Sequence, residues 1–204
     1  MSAPYVWQLS PDESTAAGVV LAAAFMDEPL LLATFPDLDR REAYFQQRFA
    51  AVTRLACQVG EAWAVGSTHG EVAGVALWFR EPSLPPTPEL KAALGFPDDP
   101  IGDETMGQVM AMVARAEAGL GEMPPVWREL AMLAIAPDRQ GAGLGSVLVR
   151  HVLADAAAAG EVVGLVTTRA VNVPFYERAG LDLVWQGTSE DGVVPLWSFR
   201  TPAP

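Results

Sequence analysis

The stretch Ala134-Ile135-Ala136-Pro137-Asp138-Arg139-Gln140-Gly141-Ala142-Gly143-Leu144-Gly145-Ser146 decides how this chain is read. An apolar run from Leu130 to Ala136 stops at a proline, a turn with three glycines follows, and a helix-forming segment begins at Leu144. Glycine lets the backbone approach a ligand closely. The first N–H groups of a helix lack partners and carry partial positive charge. A strand, a glycine turn and a helix start in that order form a place for phosphate.

Two phosphate-binding motifs are excluded by the spacing. A dinucleotide turn has Gly-x-Gly-x-x-Gly, with an acidic residue closing the next strand. Here the order is Gln140-x-x-Gly143-x-Gly145, and the next apolar strand ends in Thr167-Thr168-Arg169. A Walker loop requires Gly-Lys-Ser/Thr, and this turn has no lysine.

Outward from the turn, periodicity and breakers set the remaining elements. Upstream, Tyr5–Leu9 alternates as a strand, and Ser10-Pro11-Asp12-Glu13 carries the cap residue, proline and carboxylates of a helix start. That helix runs to Phe25, and a second, capped by Asp39, covers Arg40–Val59 with Tyr44, Phe45, Phe49, Val52 and Leu55 as its stripe. Strands at Ala62–Gly66 and Val72–Phe79 form a hairpin around Ser67-Thr68-His69-Gly70. Glu81–Pro88 is a proline-rich loop, and Glu104–Ala118 is a helix with Met106, Val109, Met110 and Val113 at helical spacing. Trp127–Ala136 is a strand, Leu144–Ala159 a helix closed by Gly160, and Glu161–Thr168 a buried strand. A short helix, Val171–Ala179, and the strands Leu181–Gln186 and Val193–Arg200 complete the chain.

With 204 residues, the expectation is a single domain over 1–204, with a loop-helix insertion at about 81–125. The net charge of −12 excludes a nucleic-acid partner of the usual basic kind. One cysteine, Cys57, excludes an internal disulfide, and two histidines form no metal cluster. The apolar runs are too short or interrupted to span a bilayer, and Met1–Pro11 lacks the layout of a secretory signal. These features predict a cytoplasmic protein with no membrane and no metal, and leave a homodimer open.

Gln140-x-x-Gly143-x-Gly145 matches the Gln/Arg-x-x-Gly-x-Gly/Ala signature of the GCN5-related N-acetyltransferase (GNAT) superfamily, and the chain resembles that family over nearly its whole length. Leu133-Ala134-Ile135 resembles the family's bulged strand, and Asn172-Val173-Pro174-Phe175-Tyr176-Glu177-Arg178-Ala179-Gly180 its later Asn…Tyr-Glu-x-x-Gly motif. Ala22-Ala23-Ala24-Phe25 with Asp27-Glu28-Pro29, Gly74–Trp78, Pro137–Gly141 and Pro174–Arg178 resemble the puromycin N-acetyltransferase-like branch. The resemblance implies an α/β (α+β) GNAT fold: a mixed, mostly antiparallel sheet of about seven strands, splayed at the acetyl-CoA site and flanked by helices. It also implies acetyl transfer from acetyl-CoA to a primary amine of a small molecule by direct attack.

The resemblance assigns roles by position. Backbone groups of Gln140, Gly141, Ala142, Gly143, Leu144, Gly145 and Ser146 would hold the pyrophosphate, with Gly143 and Gly145 irreplaceable. Leu133, Ala134 and Ile135 would bond the pantetheine arm, together with Asn172, whose other reading is a helix N-cap. Tyr176 is the general acid for the thiolate, or else an aromatic packed beneath the cofactor. Glu129, four residues before Leu133 and on its face unless a bulge intervenes, is a general base, or else a strand-end carboxylate paired with Arg128 or Arg115. Glu28 and Glu81 are acceptor-binding carboxylates or solvated loop residues, and Trp78 is an acceptor wall or core. Val166 stands where several branch members carry a glutamate, so puromycin is not implied as the acceptor. A non-catalytic acyl-CoA-binding module and an O- or longer-chain acyltransferase are the remaining readings.

Overall fold

A computed structural model describes residues 3–28, 32, 35, 38–98 and 103–202. Seven strands form one sheet in the order β1-β2-β3-β4-β5-β7-β6. The strands are β1 (Tyr5–Gln8), β2 (Gly60–Gly66), β3 (Gly74–Glu81), β4 (Trp127–Ile135), β5 (Val163–Thr167), β6 (Asp182–Thr188) and β7 (Pro195–Arg200). Every neighbouring pair is antiparallel except β4 and β5, which are parallel. This is the mixed, mostly antiparallel sheet of the GNAT fold.

The helices are α1 (Ser14–Phe25), α2 (Leu38–Val59), α3 (Pro88–Ala93), α4 (Asp103–Ala118), α5 (Leu144–Ala159) and α6 (Val173–Ala179). Strand side chains alternate between faces, so the sheet has two cores. On one face α1 and α2 bury Leu21, Phe45 and Phe49 against Val75 and Leu77 of β3. On the other, α5 and α6 bury Leu148, Val149 and Tyr176 against Trp78, Leu165 and Phe199. The first face continues over the far strands, where Met112 and Ala116 of α4 pack on Leu196 of β7. No helix among the described residues is long and apolar enough to cross a membrane.

Parallel pairing of β4 with β5 is confined to Arg128↔Val163 and Glu129↔Gly164. Beyond that the two strands part. The register of β4 against β3 shifts at the same place: Leu77 faces Met132 and Trp78 faces Leu130, which leaves Ala131 as a bulge. A bulge bends its strand and raises the local twist, which turns β4 away from β5. The closed end of the splay is pinned by Arg128, whose buried guanidinium bonds Glu161, Asp155 at 2.8 Å and Glu61 at 3.2 Å.

Several expected boundaries shift. The second helix begins at Leu38, so Asp39, expected just before its start, lies within its first turn. The helix α3 has no counterpart among the expected elements. Its six residues are too few to display a 3.6-residue period, although Thr87 caps it by accepting from the Leu90 N–H at 3.3 Å. Trp127 and Leu120 press on β5 at Gly164, where a Cβ would come within 2.6 Å of the indole. Residues 29–31, 33–34 and 36–37 of the expected connection between the first two helices, and 99–102 of the inserted segment, lie outside the described residues.

Candidate active site

The splay opens into a cleft of about 790 Å³ that passes through the sheet. Its floor is β4 from Glu129 to Ile135. Along the parted stretch β4 has β3 on one side and, among the described residues, no strand on the other. Its backbone groups on that edge are therefore open to an extended ligand, in the manner of an added strand.

One end of the cleft is the glycine turn. Gly141 (φ 78°) and Gly143 (φ 80°) both adopt the left-handed backbone that glycine alone takes without strain. Gly143 occupies the N-cap position of α5, so the turn directs the first N–H groups of that helix toward the cleft. The Gln140 side chain donates to the Ile135 carbonyl at 3.2 Å and ties the turn to the end of β4. The pair of glycines required by conformation is thus 141 and 143. Gly145 has an ordinary backbone, and a Cβ there would meet Ile135 and Phe175 at 3.6 Å, which is normal contact. Any demand for glycine at 145 comes from a ligand. Ala142 is exposed and lies outside the cleft lining.

Tyr176 stands in the cleft wall at 6% exposure, its ring against Phe175 and Phe199. Its hydroxyl has no hydrogen-bond partner among the described residues and is not sealed in the core. Desolvation raises its pKa well above the ordinary tyrosine value, so the group is fully protonated at neutral pH. Asn172 sits at the N-cap position of α6, but its amide donates to Thr167 Oγ1 at 3.1 Å and does not cap the helix. The same hydroxyl accepts the Arg169 N–H at 3.4 Å, which fixes the end of β5 where the strands part.

Glu129 lies at the throat, the last β4 residue paired with β5. The bulge at Ala131 inverts the expected alternation. Glu129, opposite Phe79, shares a face with Met132 and Ala134, opposite Leu77 and Val75, while Leu133 turns to the other face. Neither expected arginine reaches it. Arg128 projects oppositely into its own carboxylates, and Arg115 donates to the Thr188 carbonyl at 3.0 Å and lies over Trp185. Glu129 makes no ion pair or hydrogen bond among the described residues. Its carboxyl is raised to about 7, first by desolvation, then by the negative charges of Glu117 and Glu81.

Glu28 lines the cleft beyond Glu129, at the C-terminal side of α1, and accepts a hydrogen bond from the Thr168 hydroxyl. Two expected acceptor contacts are placed elsewhere. Trp78 is 1% exposed in the core under α5, because its β3 position alternates away from the cleft face. Glu81 turns back on its own loop and accepts from Ser83 N–H at 2.7 Å and Ser83 Oγ at 2.6 Å. It acts on Glu129 only through its charge. Phe25, Phe49, Met112 and Val113 supply apolar walls at this end. Met112 and Val113 belong to the helix of the inserted segment; of the stripe expected to be core, Met110 is exposed and Val113 lines the cleft, while Met112, outside that stripe, is buried. No group of three or more metal-ligating side chains occurs among the described residues.

Residues 101–180 match a family model, the acetyltransferase (GNAT) domain. The fold is similar to that of a Corynebacterium glutamicum structure described as histone acetyltransferase HPA2 and related acetyltransferase (TM-score 0.68, 23% identity, 100% of this chain and 98% of that one). It is also similar to the C-terminal condensation domain of Ebony in complex with beta-alanyl-dopamine (TM-score 0.75, 11% identity, 98% and 99% covered). A third similar structure is the Drosophila melanogaster polyamine N-acetyltransferase, which forms N-acetylagmatine (TM-score 0.64, 15% identity, 97% and 99% covered). The matched acetyltransferase domain supports an acyltransferase enzyme, and the solved structures share its fold.

Proposed function

We propose that this protein is an acetyl-CoA-dependent N-acetyltransferase acting on a primary amine of a small molecule, as one cytoplasmic domain over residues 1–204 with an insertion at about 81–125. One observation carries the reading: a single cleft joins a phosphate-type glycine turn, an unpaired strand edge, a protonated tyrosine and an unpaired carboxylate. The motifs shared with the puromycin N-acetyltransferase-like branch support amine acetylation and leave the acceptor to the cleft. Similar folds described as acting on agmatine or polyamines support a small amine acceptor.

The residues fit the carrier's parts. The turn Gln140–Ser146 presents N–H groups and a helix N-terminus to a pyrophosphate. The open edge at Leu133–Ile135 offers alternating N–H and C=O groups to an amide-bearing arm, and Asn172 holds the neighbouring loop. Acetyl-CoA supplies an activated acetyl group when bound. Transfer joins the acceptor nitrogen to the acetyl carbon and breaks the carbon–sulfur bond. Glu129, titrating near 7, takes the proton the nitrogen must lose, directly or through water. Tyr176 gives its hydroxyl proton to the departing sulfur, a downhill transfer to a thiolate made inside an apolar wall. Exchange with solvent restores both groups.

A non-catalytic acyl-CoA-binding module has no use for an unpaired carboxyl at the throat or a buried tyrosine hydroxyl without a partner. Thiol release from acetyl-CoA over a panel of amines tests the reading, with mass spectrometry of the products. N-acetylated amine at the rate of thiol release is the expected result. Binding of acetyl-CoA by calorimetry without turnover of any amine would refute it in favour of the binding module.

A further inference from the structure

Building on the acetyltransfer reading, we infer that the acceptor carries a second cationic group, and that Glu28 receives it. Charge is divided along the cleft. The arginines in its lining, Arg139, Arg169 and Arg178, come from the glycine-turn approach, the residue after Thr168 and α6. Arg139 is engaged by Glu71. Of the lining carboxylates, Glu129 faces the α1 and α2 side by its register with Phe79, and Glu28 follows the end of α1. Glu117 and Glu81 add negative charge close enough to shift Glu129. No lysine lines this cleft among the described residues.

Glu28 is built for a partner it lacks. Its residue is 6% exposed, one oxygen accepts from Thr168, and the other oxygen has no partner among the described residues and is not sealed in the core. A buried carboxyl oxygen left without a partner is costly. A cation arriving with the substrate removes that cost. Thr168 hangs from the end of β5 and fixes the carboxylate from one side, leaving the open oxygen toward the cleft. Apolar walls from Phe25, Phe49, Met112 and Val113 suit a methylene spacer between the two nitrogens. The reacting nitrogen must stand neutral at Glu129, whereas the remote group stays charged. An unpaired carboxyl at the throat and a second one farther along the cleft, held by Thr168, meet those two needs. The acceptor class is therefore a linear diamine or an amine with a guanidinium at its far end.

The test compares a diamine with a monoamine of equal chain length, by thiol release and by calorimetry on the CoA-saturated protein. Wild type is expected to favour the diamine in kcat/KM by about 10- to 100-fold, as for one desolvated charge pair. In Glu28→Gln that ratio collapses toward unity through KM, and diamine affinity falls by the same factor. Thr168→Val keeps the carboxylate but removes the hydroxyl that fixes it, and should lower the ratio by less than Glu28→Gln does. Equal kcat/KM for diamine and monoamine in wild type would overturn the inference while leaving acetyl transfer standing. So would an unchanged ratio in Glu28→Gln. If no amine is turned over, the acetyltransfer reading fails separately, and calorimetry still decides whether Glu28 holds a diamine. Diamine binding that is insensitive to Glu28→Gln would overturn the inference there too.

Discussion

Replacing Glu129 with glutamine gives two readouts from one proton. In the folded chain this carboxyl titrates at about 7, against 4.5 for the free group. Folding therefore binds a proton across this window. The stabilising contribution of the protonated group is fully present below pH 4.5 and is lost as pH rises through 7. The shift corresponds to about 3 kcal/mol at 1.36 kcal/mol per unit. Glutamine keeps the shape and cannot ionise. The melting temperature of Glu129→Gln minus that of wild type should grow between pH 5 and pH 9. For a chain of this size the gain is roughly 6–12 °C. Turnover should move the other way. With an amine acceptor of pKa below 5, which stays neutral throughout, wild-type kcat/KM should rise to a plateau with a midpoint near 7. Glu129→Gln should lose that limb and fall by about 10²–10⁴-fold. A melting difference constant from pH 5 to 9 would show that the carboxyl does not titrate there. A surviving limb in the variant would assign the base elsewhere.

Three further outcomes follow from the same geometry. Tyr176→Phe keeps the ring packing against Phe175 and Phe199, so kcat should fall about 10²-fold or more while calorimetric acetyl-CoA affinity holds; an unchanged kcat removes the acid role. Gly143→Ala forces a Cβ into φ 80° and should cost on the order of 1–2 kcal/mol in a thermal melt. Gly145→Ala should cost none and yet weaken acetyl-CoA binding, because only the ligand approaches that backbone; unimpaired binding by both would sink the turn's assignment. Arg128→Met strands Glu61, Asp155 and Glu161 around a lost buried cation and should destabilise by about 3 kcal/mol at pH 7. Denaturant unfolding should show a smaller loss near pH 4, and a loss below about 1 kcal/mol at pH 7 would mark the cluster as incidental.

What was legible in the sequence was whatever leaves a local signature. Periodicity, proline and glycine breaks set nearly every strand and helix, and a six-residue helix at Pro88–Ala93 escaped because it is shorter than the period that would betray it. The turn from Gln140 to Ser146 was readable because its need is local: a left-handed backbone and a helix start. Which of its glycines conformation demands was not, since Gly141 and Gly145 look alike until φ is known. The side-chain direction of Glu129 depended on one unpaired residue, Ala131, and a bulge has no residue signature of its own. That single displacement turns Glu129 away from Leu133, toward the walls of α1, α2 and α4.

The same bulge accounts for both the opening and its chemistry. Had β4 kept a regular ladder, pairing with β5 would have continued past Glu129 and consumed the strand edge at Leu133–Ile135. Glu129 would then have lain on the face of Leu133, with the α5 and α6 side of the sheet. By breaking register at Ala131 the chain frees one strand edge for a ligand and places an unpaired carboxylate at the throat of the gap, on the face opposite Tyr176. A tyrosine hydroxyl and a carboxyl on opposite faces of a split sheet can reach one bound molecule only through that split. Restoring the ladder by deleting Ala131 should therefore abolish transfer and leave a folded chain. If such a deletion retained both turnover and the pH-dependent melting difference at Glu129, the bulge would not be what sets them.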